Sequence, residues 1–306
     1  ALVAGAAGDW LDQELERAYA QMRSAALEDP LKPGTNAQFE DDVEAIRDFV
    51  RKRRDYVISQ LGPLPPPAVS SGGIVNTASL AQQPLAPGSI ASIFGTNLAV
   101  RERAASAIPL PTATDQTIVR MNGIATPLFF ISPLQINFQV PWELEGQRQA
   151  HLTVEVEGVL SAPEAVELAA ISPGLFTINP SGQGAVLVAA TGEVAAASGS
   201  VAGRAARPVR RGEFISIYCT GLGPVTSRPL SGERPSGNSL SRTTVEPSVT
   251  VGGAPAWVTF SGLAPGTIGL YQVNAQVPED ASVGDAVPVV LTIGGIGSNT
   301  VTIAVQ

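Results

Sequence analysis

The stretch QINFQVP, at residues 135–141, returns 137 positions later as QVNAQVP, at residues 272–278. Both stretches alternate amide and apolar residues and both end in Val-Pro. A period of two predicts a β-strand with one apolar face and one amide face, and the proline predicts where the strand ends. The recurrence indicates that the chain contains a duplicated β domain.

Blocks on either side of these strands match in the same order. PGSIASIFGTNL at 87–98 aligns with RGEFISIYCTGL at 211–222, and NGIATPLFF at 122–130 aligns with GGAPAWVTF at 252–260. Short β-branched runs alternate with Gly, Pro, Asn and Ser turns about every eight to twelve residues, which is typical of antiparallel sandwiches. We therefore expect two copies of one immunoglobulin-like β-sandwich.

The first 62 residues differ in composition from the rest. They hold 8 Lys/Arg and 12 Asp/Glu, which leaves 11 and 15 for the other 244 residues. Their apolar residues recur at spacings of three and four, and Thr35 with Gln38 fits a capping box, so they predict two helices. The Pro-rich stretch that follows predicts a linker.

The predicted organisation is therefore mainly β. It has an N-terminal α-helical hairpin followed by two tandem immunoglobulin-like antiparallel β-sandwich domains. The segments are a helical segment at 1–62, a linker at 63–72, repeat 1 at 73–172 and repeat 2 at 173–306. The polar stretch at 226–247, which makes repeat 2 longer, predicts a surface loop.

Charge and hydropathy restrict the partners of the chain. Its net charge of −8 disfavours binding to nucleic acid or to an anionic membrane surface, since both need a basic surface. Apolar stretches stay shorter than the roughly 18 residues that span a bilayer, so no membrane insertion is expected. Proteins or glycans, including further copies of the chain, are the expected partners.

Several blocks carry a resemblance to known families. PGSIASIFGTNL, PLQINFQVPWEL and PVRRGEFISIYCTGLGPV closely resemble the Solibacter-type C-terminal domain, an uncharacterised region of large secreted proteins of acidobacteria; the resemblance covers about residues 73–306. PGSIASIFGTNL also resembles the opening of an IPT/TIG-type immunoglobulin-like domain. FEDDVEAIRDFVRKRRDYVISQL, at 39–61, is similar to the closing helices of the spore-coat-H (CotH) kinase family. These resemblances imply a secreted protein, with kinase nucleotide and metal residues upstream of Ala1.

Motifs that carry chemistry are missing from the sequence. His151 and Cys219 are the single histidine and cysteine, so neither a Cys-based zinc site nor a disulfide framework is possible within the chain. Phosphate-binding glycine loops, acidic calcium loops and a nucleophile elbow are also missing. We expect no catalytic, cofactor-binding or metal residues and no cofactor. Cys219 lies in the apolar run FISIYCTGL and is interpreted as a buried hydrophobe, with a reactive thiol as the alternative.

Two sets of residues remain as candidates for interactions. The amides of the repeated strands can donate and accept hydrogen bonds, and we expect them to form a structural amide ladder that fastens each sandwich to its own long loop. They are Gln135, Asn137, Gln139, Gln272, Asn274 and Gln276. Trp142 and Trp257 are the candidate surface aromatic contacts. Trp257 lies within a strand and Trp142 directly follows a strand-ending proline, so core or rim packing is the favoured interpretation for both.

The sequence thus favours a non-catalytic C-terminal module of a larger secreted or cell-surface bacterial protein, acting in spacing, anchoring, or extracellular assembly and adhesion. One alternative is the accessory tail of a secreted CotH-like protein kinase whose catalytic residues lie upstream. A second alternative is a self-assembling surface-layer or filament subunit, because exposed sandwich edges can pair with a neighbour.

Overall fold

The computed structural model describes residues 10–61, 65–235 and 240–306. The chain divides into two compact units, Ala1–Pro65 and Pro66–Gln306. Residues 63 and 64 of the predicted linker lie outside the described residues. In the described part of the chain, no helix is both long and apolar enough to cross a membrane.

The first unit is a pair of helices, α1 (Trp10–Glu28) and α2 (Asn36–Leu61). The capping box at the start of α2 is confirmed. The backbone N–H of Thr35 donates to Gln38 Oε1 at 2.8 Å, and the backbone N–H of Gln38 donates to Thr35 Oγ1 at 3.2 Å. The two helices meet where Tyr19 stacks on Phe39, with ring centroids 6.4 Å apart. The predicted helical hairpin is therefore present.

Repeat 1 is a sandwich of two antiparallel sheets. Its strands are β1 (Ala68–Asn76), β2 (Ile90–Thr96), β3 (Arg103–Ala104), β4 (Thr117–Met121), β5 (Ile124–Ala125), β6 (Leu128–Ile131), β7 (Gln135–Gln139), β8 (Gln149–Val156), β9 (Val159–Leu160) and β10 (Glu164–Glu167). One sheet has the order β1-β2-β7-β6-β3. The other has the order β10-β8-β4-β5, with β9 paired to β8. A 3₁₀ turn, Trp142–Leu144, follows β7.

Repeat 2 has the same central strands as repeat 1 and more short strands at its start. Its strands are β11 (Gly174–Leu175), β12 (Val186–Val188), β13 (Val194–Ala195), β14 (Ala206–Arg207), β15 (Phe214–Thr220), β16 (Ser248–Val251), β17 (Ala254–Leu263), β18 (Tyr271–Gln276), β19 (Gly284–Ile293), β20 (Ile296–Gly297) and β21 (Val301–Val305). β17 pairs with β16 through residues 254–256 and with β18 through residues 257–263, so one strand belongs to both sheets.

Repeat 1 breaks this long strand into β5 and β6. Pro127 lies in the gap, at the position that Trp257 occupies in β17. A proline has no N–H to donate to a sheet, which favours the break at this position. The hairpins just before are alike: Asn122–Gly123 has φ of 49° and 81°, and Gly252–Gly253 has φ of 61° and 86°. Two consecutive positive φ angles define the type I′ turn that matches strand twist.

The linker predicted at 63–72 extends too far towards the carboxyl terminus, because the first strand begins within it. β1 begins at Ala68 and pairs with β2 through residues 68–69 and 74–76, with an irregularity between. Val69 and Ile74 pack against the core of repeat 1, which explains why this stretch is a strand. The Ser-Ser-Gly-Gly sequence of residues 70–73 falls in the irregularity.

Each repeat has its own hydrophobic core. The apolar face of the repeated strands is buried as predicted: Ile136, Phe138 and Val140 are fully buried in repeat 1, and Val273 and Ala275 are fully buried in repeat 2. The predicted fold class, with a helical hairpin followed by two immunoglobulin-like sandwiches, is confirmed.

Candidate functional site

The first two amides of each repeated strand make the same hydrogen bonds in both repeats. In repeat 1, Asn137 Oδ1 accepts from Gln135 Nε2 at 2.8 Å and from Ser92 Oγ at 2.9 Å. Asn274 Oδ1 accepts from Gln272 Nε2 at 2.8 Å and from Ser216 Oγ at 3.0 Å in repeat 2. Each pair of amides therefore fastens its own strand to the serine of the neighbouring strand.

The third amide of each strand fastens the turn that precedes the neighbouring strand. Gln139 Nε2 donates to the carbonyl of Gly88 at 3.4 Å, and Gln276 Nε2 donates to the carbonyl of Gly212 at 2.9 Å. The two glutamines differ in what their oxygens contact. Gln139 is 1% exposed, and its Oε1 accepts the backbone N–H of Gly232 at 2.7 Å.

This contact corrects the expectation that each ladder fastens its own repeat's loop. Gly232 lies in the loop of repeat 2, whereas Gln139 belongs to repeat 1. The carbonyl of Gly232 also accepts the backbone N–H of Leu110, in repeat 1, at 2.8 Å. Gly232 therefore bonds to repeat 1 through both its N–H and its carbonyl, as a residue of an added strand would. We call residues 226–235 the inter-repeat loop.

The rest of the inter-repeat loop contacts the 3₁₀ turn after β7. Ser231 Oγ accepts the backbone N–H of Trp142 at 2.9 Å and donates to Glu143 Oε2 at 2.7 Å. Arg228 forms an ion pair with Glu145, and its guanidinium lies 5.8 Å from the ring centroid of Trp142. The first part of the predicted surface loop at 226–247 thus covers a portion of repeat 1.

The prediction of a surface aromatic contact at Trp142 is wrong, because its side chain is only 3% exposed. Trp142 follows the repeat 1 strand but packs into the hydrophobic cluster of repeat 2. Gly88 makes room for the ring: a Cβ at this position, where φ is +82°, would lie 2.2 Å from the indole carbons. Trp142 is therefore a core residue, and the core that it fills is that of repeat 2.

Direct contacts between the two repeats complete the interface. Thr220, at the end of β15, accepts the backbone N–H of Ile90 at 2.9 Å and donates to the carbonyl of Gly269 at 2.8 Å. Beside them, the backbone N–H of Ser172 in repeat 1 donates to the carbonyl of Gly221 in repeat 2 at 2.8 Å. Buried polar groups that are paired in this way resist separation, because each would lose its partner.

A cleft of about 390 Å³ opens between the repeats beside this interface. Trp142, Arg148, Leu168 and Pro224 are among the residues that line it. The indole N–H of Trp142 is buried and has no hydrogen-bond partner among the described residues. Within those residues, no group of three or more His, Cys, Asp or Glu side chains is arranged to hold a metal ion.

Trp257 lies on the surface of repeat 2. It is 65% exposed on the outer face of β17 and makes an edge-to-face contact with Phe214 of β15, with ring centroids 6.2 Å apart. Both residues are in register with Gln276 of β18, which lies between them. The three side chains form one row across three strands.

The two residues with reactive side chains differ in environment. Cys219 is fully buried in β15, and burial raises the pKa of its thiol above the ordinary range. This agrees with the interpretation of Cys219 as a buried hydrophobe, because reactive cysteines are accessible and have lowered pKa values. His151 is an exposed residue of β8, opposite Ala165 of β10.

One ion-pair cluster lies close to the start of β15. Arg207 contacts both Glu213, at 2.8 Å, and Glu193, at 3.1 Å. The hydrogen bonds from Arg207, with that from the backbone N–H of Arg210, lower the pKa of Glu213 from 4.5 to about 2. The cluster holds β14 against the turn before β15.

Comparisons with known proteins give no family. No known family profile matches the chain, and no curated protein matches it either. Solved structures similar to the chain, at 10–11% identity, include the I9–I11 tandem from titin, domains 5–6 of the S-layer protein SbsC, and Dpr2 Ig1–Ig2 in complex with DIP-Theta Ig1–Ig3.

The similar structures are distant. They cover 78%, 78% and 79% of this chain and 65%, 98% and 99% of their own, with TM-scores of 0.20, 0.26 and 0.18. The match therefore spans slightly less than two thirds of the titin chain. TM-scores this low give no support for a common function. The resemblances to the Solibacter-type domain and to CotH kinases stay predictions.

Proposed function

We propose that the chain is a non-catalytic module of a larger secreted or cell-surface bacterial protein, and that it holds other parts of that protein at a fixed spacing. The observation that carries this proposal is the interface between the repeats. A buried side chain of one repeat binds the backbone of the other, through Gln139 and Gly232.

Tandem domains joined by a simple linker move relative to each other unless their interface is large and well packed. Here the interface has a hydrophobic part, since Trp142 from repeat 1 packs in the core of repeat 2. It also has paired polar groups at Thr220 and Ser231. A module built in this way transmits position and force between its two ends, which is what spacing or anchoring requires.

The cell-surface location can be tested on the native protein. Antibodies against residues 66–306 are used on fractions of the source cells, and intact cells are treated with protease before mass spectrometry. We expect the antigen in the medium or on the surface, with its peptides lost after protease treatment of intact cells. Recovery of protected antigen in the cytosolic fraction alone would overturn the proposal.

The same mass spectrometry separates this function from the alternative of a kinase tail. Peptides that map upstream of Ala1 and contain kinase nucleotide-binding and metal-binding residues would assign the whole protein to the CotH-like kinases, with this chain as its accessory part. Upstream peptides without such residues would leave the spacing or anchoring role as the function of the chain.

A further inference from the structure

The row formed by Phe214, Gln276 and Trp257 has a counterpart in repeat 1. There, Ile90 of β2 is in register with Gln139 of β7, and the backbone N–H of Gln139 donates to the carbonyl of Pro127 at 2.9 Å. Ile90 therefore corresponds to Phe214, Gln139 to Gln276, and Pro127 to Trp257. The two rows occupy the same end of the same sheet in the two sandwiches.

All three positions of the repeat 1 row are in contact with repeat 2. The N–H of Ile90 donates to Thr220, and its side chain lies against Gly269, where a Cβ would be 2.9 Å away. Gln139 accepts from Gly232. Pro127 also lies against Gly232, since a Cβ there would be 3.3 Å from the proline ring. In repeat 1, this row is the surface on which the next sandwich sits.

The repeat 2 row is open. Trp257 is 65% exposed and Phe214 is 37% exposed, whereas Pro127 is buried. Exposed aromatic pairs of this kind are common at the centres of protein interfaces, because covering them removes a large apolar area from contact with water. Repeat 2 thus keeps an unoccupied version of a surface that repeat 1 uses to bind a sandwich.

We propose that Phe214, Gln276 and Trp257 form a docking face for a second copy of this chain, which presents the loop end of its repeat 1. That end corresponds to the end of repeat 2 whose Thr220 and Gly269 contact Ile90. Thr96, at the close of β2, matches Thr220 in position and residue type and is exposed. Leu134, in the turn before β7, is 63% exposed and supplies an apolar contact for the aromatic pair.

The contact between copies is weaker than the contact within one copy. Repeat 2 has Glu279 and Asp280 where repeat 1 has Trp142 and Glu143, so the docking face has no buried tryptophan anchor. The association is therefore reversible. Because its two faces differ, it joins copies head to tail and leaves a free face at each end, which produces open chains of copies. This property goes beyond the proposed spacing function, which a monomer can perform.

The test uses sedimentation velocity of the full chain between about 10 µM and 1 mM, a range that covers weak association. Two variants each remove one face: Trp257→Glu and Leu134→Glu. Leu80→Glu is the matched control, because Leu80 is a leucine with the same 63% exposure as Leu134 and lies just after β1, at the other end of repeat 1 from Thr96. All three positions are exposed, so equal melting temperatures establish that each variant is folded.

We expect the unaltered chain and Leu80→Glu to form oligomers that grow with concentration. Each face variant alone is expected to stay monomeric, with its dissociation constant raised at least about tenfold. In a mixture of the two variants, the intact Trp257 face of Leu134→Glu can bind the intact Leu134 end of Trp257→Glu. The mixture is therefore expected to form dimers and no larger species.

Four outcomes overturn the proposal. The unaltered chain stays monomeric at every concentration. In the second outcome the unaltered chain associates but Trp257→Glu associates equally well. The contact would then lie on another surface, such as the helices. Leu134→Glu still dimerises, which would mean that two Trp257 faces meet. A glycan array shows saturable binding that Trp257→Glu abolishes while the chain remains monomeric, which would assign the row to a carbohydrate. None of these outcomes bears on whether the two repeats form a rigid spacer.

Discussion

Replacing Gln139 with Ala should weaken the connection between the two repeats. Gln139 is 1% exposed, and its Oε1 accepts the backbone N–H of Gly232 at 2.7 Å. The substitution removes the hydrogen bonds to Gly232 and to the Gly88 carbonyl, and it leaves the buried N–H of Gly232 without a partner, which costs about 1 to 3 kcal/mol. Water that enters the space left by the side chain offsets part of this cost. We expect a net loss of about 2 to 3 kcal/mol in the free energy of unfolding.

Gln276→Ala is the matched control. The same residue type occupies the equivalent strand position in repeat 2, where its amide donates to the Gly212 carbonyl and its side chain is only partly buried. This substitution removes one partly exposed hydrogen bond and should cost about 1 kcal/mol or less. The difference between the two variants isolates the bond to the inter-repeat loop.

The assay combines chemical denaturation with hydrogen–deuterium exchange measured by mass spectrometry. In Gln139→Ala, peptides from residues 226–235 should exchange faster, because the N–H of Gly232 loses its acceptor. Gln276→Ala should leave exchange in these peptides unchanged. The reasoning is refuted if the two variants lose equal stability and the inter-repeat loop exchanges at the same rate in both.

Three further predictions concern single side chains. Asn137→Ala and Asn274→Ala should each lower the free energy of unfolding by about 1 to 3 kcal/mol, because each carboxamide oxygen accepts two hydrogen bonds; unchanged denaturation midpoints would contradict this. Glu213 has a pKa lowered to about 2 by Arg207, so its carboxylate stabilises the fold above about pH 4.5, and the contribution is lost as the pH falls towards 2. Glu213→Gln should therefore be less stable than the unaltered chain at pH 7, with a gap that closes across that window; a gap independent of pH would exclude this role. Cys219 should react with a thiol reagent only after unfolding, because it is buried; rapid labelling of the native chain would show that it is accessible.

Local sequence patterns were enough to predict the strands and the duplication. The alternation in QINFQVP and QVNAQVP has a direct physical cause, since apolar residues at every second position must face the core. The capping box of Thr35 and Gln38 is equally local. The bonds of Asn137 and Asn274 also follow from the repeat, because each amide has a serine on the neighbouring strand at the same position.

The interface could not be predicted in the same way. Gln139 and Gly232 are 93 positions apart, and their contact depends on how the two sandwiches sit against each other. Gln139 and Gln276 have the same sequence context, yet only Gln139 is covered by another repeat. Trp142 gave no sign that its ring enters the core of the other repeat. β1 could not be predicted, because its residues 70–73 are polar and glycine-rich and lack a strand pattern. They form an irregularity in the pairing of β1 with β2.

The central claim is that the two repeats form one rigid body, and a distance measurement between spin labels tests it most directly. Leu160→Cys in repeat 1 and Ile296→Cys in repeat 2 place labels on equivalent exposed hairpins, while the buried Cys219 stays unlabelled. Pulsed electron–electron double resonance should give one narrow distance distribution, which broadens when Gln139→Ala is added. A broad distribution in the chain with Gln139 intact would contradict the account, because it would show that the repeats move independently.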